Sequence, residues 1–194
     1  PMSISVWAQY VLDNFTNVSE AVEFLRKEDF YVLPIMTPDG HPGQVHLSIS
    51  DPSGDSAIFE YVEGKLLIHH GRQYQVMTNS PVYDQQLALD VYWQQIGGEV
   101  MLPGTSRAAD RFVRASYYIS TIPQTDVIQA ALAGTFSVIR NASAPFGVSS
   151  PDKPNIAPTL WRSVSDHKNM IYFFETTITP NIFWIDFKNL DFAA

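Results

Sequence analysis

The spacing of apolar residues changes three times along the chain, and these changes constrain the fold more than any other feature of the sequence. Apolar side chains at three- and four-residue intervals predict helices over residues 6–15 and 19–27, with Ser19 as the cap of the second. The same helical period returns over residues 83–97, 108–120 and 127–139. The chain is therefore expected to contain two separate blocks of helices.

Strand-like runs rich in β-branched and aromatic residues follow each block of helices. They lie at residues 30–33, 45–49, 57–62, 66–69 and 74–77, and again at residues 160–164, 171–175 and 182–186. Tight-turn residues at 51–55 and 63–65 separate consecutive runs and predict antiparallel hairpins. Because the sequence has no internal repeat and no break in composition, this pattern predicts one layered α+β domain.

Two totals exclude whole classes of function. The 194 residues contain no cysteine, which rules out disulfides, zinc–thiolate sites and a thiol nucleophile supplied by this chain. The net charge of -8 at pH 7 argues against binding to nucleic acid or to an anionic membrane surface. No apolar run reaches the roughly 20 residues that span a bilayer. We therefore expect neither nucleic acid nor a membrane among the partners.

The histidines do not predict a metal site. His69 and His70 are neighbours on a predicted strand, so their side chains point to opposite faces and cannot bind one metal together. His46 stands alone in a strand-like run, where a structural role is the favoured interpretation. Phosphate-binding glycine loops, the serine-hydrolase elbow and the zinc-binding helix motif are all missing from the sequence. The sequence therefore predicts no metal and no cofactor.

The tripeptide Thr78-Asn79-Ser80 has two possible roles. It directly follows the run at residues 74–77 and precedes Pro81, which starts a helix. Because the end of a strand is rigid, an asparagine there can aim its side-chain amide at a point in a cleft. Alternatively, Asn79 caps the following helix or closes a turn. The local pattern alone leaves both roles open.

Several spaced motifs occur in order through nearly the whole chain. They are residues 51–81, which end in Thr-Asn-Ser-Pro; residues 101–115, which contain Leu-Pro-Gly-Thr and Ala-Ala-Asp-Arg-Phe-Val-Arg; and Trp161-Arg162 with residues 172–176 and 181–184. Together they resemble the choloylglycine hydrolase family of conjugated bile salt hydrolases and penicillin V acylases, within the N-terminal-nucleophile hydrolases. The Leu-Pro-Gly-Thr run resembles the Gram-negative branch of that family.

This resemblance implies a four-layer αββα sandwich that cleaves a linear carbon–nitrogen amide bond. In the family an N-terminal cysteine attacks the amide carbonyl, its own α-amino group acts as the base, and an acyl-enzyme forms. Asn79 falls on the asparagine whose side-chain amide donates to the oxyanion. Arg111 falls on the active-site arginine, where a fixed cation orients the nucleophile and favours its thiolate.

The resemblance also indicates where a substrate would bind. Residues 33–44 match a loop that borders the family's substrate pocket, and the predicted contact residues are Leu33, Ile35, Met36 and Val45. The expected partner is a small-molecule amide. Bile salts and penicillin V both present an apolar acyl group on an amide nitrogen, so the sequence does not decide between them. The expected location is periplasmic or secreted, with the cytoplasm as the alternative.

The sequence departs from the family at the nucleophile, because no cysteine is present. We therefore expect residues 1–194 to form the C-terminal portion of a single domain, with an incomplete sandwich and no activity alone. A complementary N-terminal segment that carries the cysteine, or a homo-oligomer, is expected to cover the unpaired sheet edges. The rival hypothesis is a non-catalytic fragment or paralogue that only binds an acyl or sterol-like ligand.

Overall fold

The computed structural model describes residues 2–27, 31–34, 36, 40, 45–97, 100–148, 158–179 and 181–193. The chain divides into two compact units, Pro1–Ala88 and Leu89–Ala194. Each unit contains α-helix and an antiparallel sheet of three strands. This mixed content confirms the α+β prediction, whereas the assignment of residues 1–194 to part of one domain stays a prediction.

The predicted helices are all present, with ends that differ from the predicted ones by at most two residues. They are α1 (Trp7–Asn14), α2 (Val18–Lys27), α3 (Tyr83–Ile96), α4 (Ala108–Thr121) and α5 (Ile128–Asn141). Short 3-10 turns lie before α1, at Ile4–Val6, and near the end of the chain, at Phe187–Asn189. In the part of the chain that the structure describes, none of the helices is long and apolar enough to cross a bilayer.

The cap of α2 is Asn17, so the prediction of Ser19 as the cap is wrong. The helix begins at Val18, one residue earlier than predicted, which places Ser19 inside its first turn. The Asn17 side-chain oxygen accepts the backbone N–H of Glu20 at 2.9 Å. The Glu20 carboxylate in turn accepts the backbone N–H of Thr16 at 3.1 Å. These two bonds satisfy amide groups that have no partner inside a helix.

Replacing Asn17 with alanine should lower the free energy of unfolding by about 1 kcal/mol, because the cap bond to Glu20 is lost. The matched control is Ser19→Ala, which removes only a 3.3 Å hydrogen bond to Asp55 and should cost less than about 0.5 kcal/mol. Urea unfolding of both variants measures the difference. An equal loss in the two would mean that Asn17 is not the energetically important cap.

Within the described residues the strands form three sheets. Strands β1 (Met2–Ser3) and β2 (Val32–Leu33) pair in parallel. Strands β3 (Leu47–Ser50), β4 (Ser56–Val62) and β5 (Lys65–His70) form an antiparallel sheet in that order. Strands β6 (Trp161–Asp166), β7 (Ile171–Thr176) and β8 (Ile182–Asp186) form the second antiparallel sheet. The predicted hairpins are confirmed.

The strand predicted over residues 74–77 is wrong: the structure describes this segment and it is not a strand. After β5 the chain turns at Gly71, whose φ of 140° favours glycine. The Ser56 hydroxyl donates to the carbonyls of Gly71 and Tyr74, both at 3.0 Å. The Tyr74 ring packs against His69, with 5.4 Å between ring centroids. Side-chain packing and a hydroxyl, rather than strand pairing, therefore hold this segment.

The core of the first unit forms around β4, which is buried on both faces. Ala57 and Phe59 belong to one face, and with Leu47 they pack in a cluster with side chains of α1 and α2. Trp7 lies in this cluster, with its ring centroid 6.2 Å from that of Phe59. The other face carries Ile58 and Glu60, because successive side chains alternate along a strand. A buried glutamate on the central strand therefore faces away from the apolar cluster.

The second unit builds its core from two helices and one face of its sheet. Helices α4 and α5 pack against each other, and α5 also packs against β6. The buried side chains include Phe112 of α4, Phe136 of α5 and Phe173 of β7. Gly134 permits the close helix contact, because a Cβ at this position would lie only 3.0 Å from Ile122 Cγ2. This packing fixes α4, on which Arg111 lies.

Candidate functional site

The Thr78–Pro81 loop joins the segment after β5 to helix α3 and is held by the fully buried side chain of Gln86. The Gln86 amide nitrogen donates to the carbonyls of Thr78 at 3.0 Å and Pro81 at 2.6 Å. The Gln86 side-chain oxygen accepts the Thr78 hydroxyl at 2.8 Å. One side chain of α3 thus fixes both ends of the loop, while Asn79 in its middle is exposed.

His46 contacts the middle of the same loop, and Glu60 contacts His46. Leu47 pairs with Phe59, so the next position places His46 opposite Glu60. The distance between His46 Nδ1 and Glu60 Oε1 is 2.5 Å. The other Glu60 oxygen accepts the backbone N–H of Tyr83, at the start of α3, at 2.8 Å. His46 Nε2 lies 2.7 Å from the Asn79 carbonyl oxygen.

His69 and His70 have different partners, as their adjacent positions on β5 predict. His69 Nε2 lies 2.7 Å from Asp84, and His70 Nε2 lies 2.8 Å from Asp55. The hydrogen bond from His70, together with its charge, lowers the pKa of the Asp55 carboxyl from its ordinary value. Among the described residues, no group of three or more histidine, aspartate or glutamate side chains could hold a metal ion.

Arg111 is partly buried on α4, and its Nε donates to the Ser106 carbonyl at 3.1 Å. Burial, and secondarily the positive charge of Arg114, lower the pKa of the Arg111 guanidinium from its ordinary value. An arginine nevertheless stays charged at physiological pH. The structure therefore presents Arg111 as a cation held on a rigid element of the second unit.

Arg114 lies one turn further along α4 and binds the Leu-Pro-Gly-Thr segment at residues 102–105. Its Nη1 donates to the carbonyls of Pro103 at 2.6 Å and Thr105 at 2.9 Å. Its Nε donates to the Asn141 side chain, at the end of α5, at 3.1 Å. No role was predicted for Arg114, although its spacing of three from Arg111 places both on one side of the helix.

The predicted substrate-contact residues are only partly within the described chain. Leu33, Met36 and Val45 are each about half exposed or more. Leu33 is the last residue of β2 and pairs with Ser3 of β1. Ile35 lies outside the described residues. The roles of these residues, and of Asn79 in the first unit and Arg111 in the second, stay predictions.

A cavity of about 350 Å³ in the second unit is lined by Arg140, Arg162 and Glu175 among others. The buried Glu175 carboxylate binds Arg140 Nη2 at 2.5 Å and Arg162 Nη1 at 3.0 Å. Arg162 Nε also donates to the Ser143 hydroxyl at 2.8 Å. The hydrogen bond from Arg140 is the main cause that lowers the pKa of Glu175. This network ties α5 to β6 and β7.

Comparisons with known proteins agree with this architecture. Residues 2–193 match the linear amide C–N hydrolases of the choloylglycine hydrolase family. The sequence is 55% identical to a penicillin V acylase of Pectobacterium atrosepticum, over 99% of this chain and 54% of that protein. It is 27% identical to a bile salt hydrolase/transferase of Clostridium perfringens, over 94% of this chain and 62% of that protein.

Solved structures give the same result for the fold. A penicillin V acylase from Agrobacterium tumefaciens, 59% identical, superposes with a TM-score of 0.87 over 97% of this chain and 57% of its own. A mutant conjugated bile acid hydrolase from Clostridium perfringens, 22% identical, has the same fold with a TM-score of 0.78 over 98% of this chain and 64% of its own. The predicted fold class, that of the N-terminal-nucleophile hydrolases, is confirmed.

The chain thus spans between about half and two thirds of the length of these relatives. The family match covers nearly all of its residues, and the Thr-Asn-Ser-Pro and Arg-Phe-Val-Arg motifs lie within the match. The chain belongs to the choloylglycine hydrolase family of linear amide C–N hydrolases.

Proposed function

We propose that the enzyme containing this chain hydrolyses a linear amide: water cleaves the C–N bond and releases a carboxylic acid and an amine. The observation that carries this proposal is the family match over residues 2–193, together with 55% identity to a penicillin V acylase. The amide has an apolar acyl group, since penicillin V and conjugated bile salts share that chemistry. The higher identity to penicillin V acylases favours penicillin V as the first substrate to assay.

The nucleophile of this reaction is a cysteine thiol from a polypeptide segment outside the 194 residues. Two observations support this: the sequence has no cysteine, and the chain spans 54% of its Pectobacterium relative. The thiolate attacks the carbonyl carbon and gives a tetrahedral oxyanion. The amine then leaves with a proton, and water cleaves the resulting thioester to the acid and the free thiol.

Asn79 donates its side-chain N–H to the oxyanion, and Arg111 stabilises the thiolate. An exposed amide on a loop whose two ends are fixed by Gln86 suits a donor that must be in place before the reaction. A partly buried guanidinium suits the second role, because reduced solvent strengthens its interaction with an anion. Leu33, Ile35, Met36 and Val45 contact the apolar acyl group.

The partner of this chain is the thiol-bearing segment or a second copy of the chain. Phe183 and Trp184 are adjacent on β8, and each is more than half exposed. Neighbouring strand residues point to opposite faces of a sheet. Among the described residues, both faces of the sheet are therefore exposed to solvent at β8. Light scattering during gel filtration measures the mass of the particle and so shows whether a partner is bound. A particle with the mass of one copy of this chain that also unfolds cooperatively would contradict the need for a partner.

The test of the proposed function is hydrolysis of penicillin V and of a conjugated bile salt by the purified protein. We expect release of the amine, complete loss of activity after iodoacetamide treatment, and a second polypeptide that carries a cysteine in the intact mass spectrum. The rival hypothesis, ligand binding without reaction, predicts a calorimetric binding signal for the same compounds with no amine release. Hydrolysis that resists alkylation would exclude the thiol.

Arg111→Ala should shift the pH profile of thiol alkylation upward by about one pH unit, because loss of a nearby cation disfavours the thiolate. Turnover at pH 7 should fall in proportion to the lost thiolate. Measuring the iodoacetamide rate against pH reports the thiol directly. Arg107→Ala, at the exposed residue that precedes α4, is the matched control. An unchanged Arg111→Ala profile would count against this role.

A further inference from the structure

The middle of the Thr78–Pro81 loop depends on side chains because no strand pairing supports the segment before it. Gln86 holds the loop at Thr78 and Pro81. The backbone carbonyl of Asn79, between these two residues, accepts from His46 at 2.7 Å. The orientation of Asn79 is therefore linked to a histidine that is 33 positions earlier in the chain.

The contact with Asn79 decides which nitrogen of the His46 ring donates. A carbonyl oxygen can only accept, so Nε2 of His46 is the donor to Asn79. On the other side of the ring, Nδ1 lies 2.5 Å from Glu60 Oε1. The His46 ring therefore lies between the buried Glu60 carboxyl group and the carbonyl of Asn79.

Glu60 is held in turn by the start of α3. Its side chain is only 3% exposed, and its second oxygen accepts the Tyr83 backbone N–H at 2.8 Å. Glu60 lies on β4, the central strand of the three-stranded sheet. The chain of contacts thus runs from β4 through Glu60 and His46 to the carbonyl of Asn79.

We propose that His46 and Glu60 are positioning residues that hold Asn79, through its backbone carbonyl, in the orientation from which its side-chain amide donates to the oxyanion. This inference rests on the amidase function proposed above. An oxyanion donor must lie about 2.7–3.1 Å from the position that the oxyanion will occupy. A displacement of about 1 Å can cost as much as 100-fold in rate. A buried anchor on a central strand supplies the required precision.

The decisive experiment is a double-mutant cycle on the complete active enzyme. We expect His46→Leu to lower kcat about tenfold with KM within about twofold, because the loop moves but the substrate contacts remain. In an Asn79→Ala background His46→Leu should have almost no further effect on kcat, because the side-chain amide that His46 positions is already absent. A tenfold loss in both backgrounds would overturn the proposal.

If His46→Leu does not fold, more conservative substitutions at His46 and Glu60 still test the positioning role. In His46→Gln the side-chain amide nitrogen reaches nearly the position of Nε2, so we expect most of the activity to return. In His46→Asn the amide is one methylene shorter and should give the same tenfold loss as leucine. Glu60→Gln keeps an acceptor for Tyr83 and a donor toward His46, and should lower kcat less than about threefold. Equal activity in His46→Gln and His46→Asn would overturn the proposal.

His69→Leu is the matched control. His69 has nearly the same side-chain exposure as His46, 15% against 14%, and also contacts a carboxylate, at 2.7 Å. His69→Leu should lower the thermal midpoint of unfolding by about as much as His46→Leu does, but it should leave kcat within about twofold of the wild-type value. If kcat falls equally in His69→Leu and His46→Leu, the effect is general destabilisation and the positioning role is wrong.

Failure of this inference differs from failure of the proposed function. If Asn79→Ala lowers kcat strongly while His46→Leu does not, the amidase assignment stands and the positioning role is wrong. If neither change affects turnover, Asn79 is not the oxyanion donor. If the wild-type enzyme hydrolyses no amide, the proposed function itself is wrong.

Discussion

Asn79→Ala is expected to lower kcat by roughly 100- to 1,000-fold, because the oxyanion loses a hydrogen-bond donor at the moment its charge develops. KM should change little, since the donor acts mainly on the transition state. The chain should still fold, because the Asn79 side chain is exposed and the loop ends are bound to Gln86. The measurement is steady-state hydrolysis of penicillin V by the complete enzyme, with circular dichroism to confirm folding.

The control for Asn79 is another amide side chain in the same segment. Gln75 is exposed and lies four positions earlier. Gln75→Ala should leave kcat within about twofold, because surface substitutions outside a site have small effects. Asn79→Asp is a sharper variant, because it keeps the size but replaces a donor with a negative charge near the oxyanion. Near-normal turnover in Asn79→Ala or Asn79→Asp would rule out the oxyanion role.

Glu175→Gln is expected to lower the free energy of unfolding by about 3 kcal/mol at pH 7, because it leaves two arginines facing a neutral group in a buried network. The carboxylate accepts from both Arg140 and Arg162, and its residue is only 6% exposed. Guanidinium unfolding of the chain measures the loss. Glu23→Gln is the control, because its ion pair with Lys27 is 3.9 Å long and exposed and should contribute less than about 0.5 kcal/mol.

The pH dependence of this difference has a defined direction. The arginines, Arg140 first, lower the pKa of Glu175 below its ordinary value of 4.5. The stabilisation is therefore fully present above pH 4.5 and is lost as the pH falls through the lower pKa of the folded state. The stability of the wild type and of Glu175→Gln should converge below that value. A difference that is constant between pH 7 and pH 3.5 would contradict the assigned ion pairs.

Much of the fold was predictable from the sequence because apolar period and turn chemistry act locally. The helices around Val11, Phe112 and Phe136 each bury one apolar face, and this leaves a three- and four-residue spacing in the sequence. The turns at 51–55 and 63–65 contain the glycines that adopt positive φ there. These features needed no knowledge of distant partners.

The sequence prediction failed where side chains from distant positions decide the backbone. Residues 74–77 have a strand-like composition, but they do not form a strand, and the Ser56 hydroxyl donates to the Tyr74 carbonyl. Ser19 is as good a cap by composition as Asn17, and only the first turn of α2 shows which one bonds to Glu20. Local preference is weak compared with one tertiary contact.

Some residues of the candidate site were predicted from the sequence, and others were found only in the structure. Asn79 and Arg111 were identified from motifs whose residue types and order resemble those of a family, and their roles stay predictions. Gln86 and His46 lie outside these motifs, and Glu60 lies within residues 51–81 with no role implied by the resemblance, so none of the three was predicted at the site. One signal was available for His46 and Glu60: the hairpin register that pairs Leu47 with Phe59 also places His46 opposite Glu60.

The sequence by itself determined helices α1 to α5, the strands of the two antiparallel sheets, the family, and the absence of a thiol from these 194 residues, because each depends on residue identity and short-range spacing. Only the tertiary structure decided which buried polar groups meet. A histidine before β3 and a glutamine on α3 bind one loop, and a glutamate on β4 contacts that histidine and the start of α3. Hydrogen bonds act only over about 3 Å, so long-range folding, rather than sequence spacing, selects these partners.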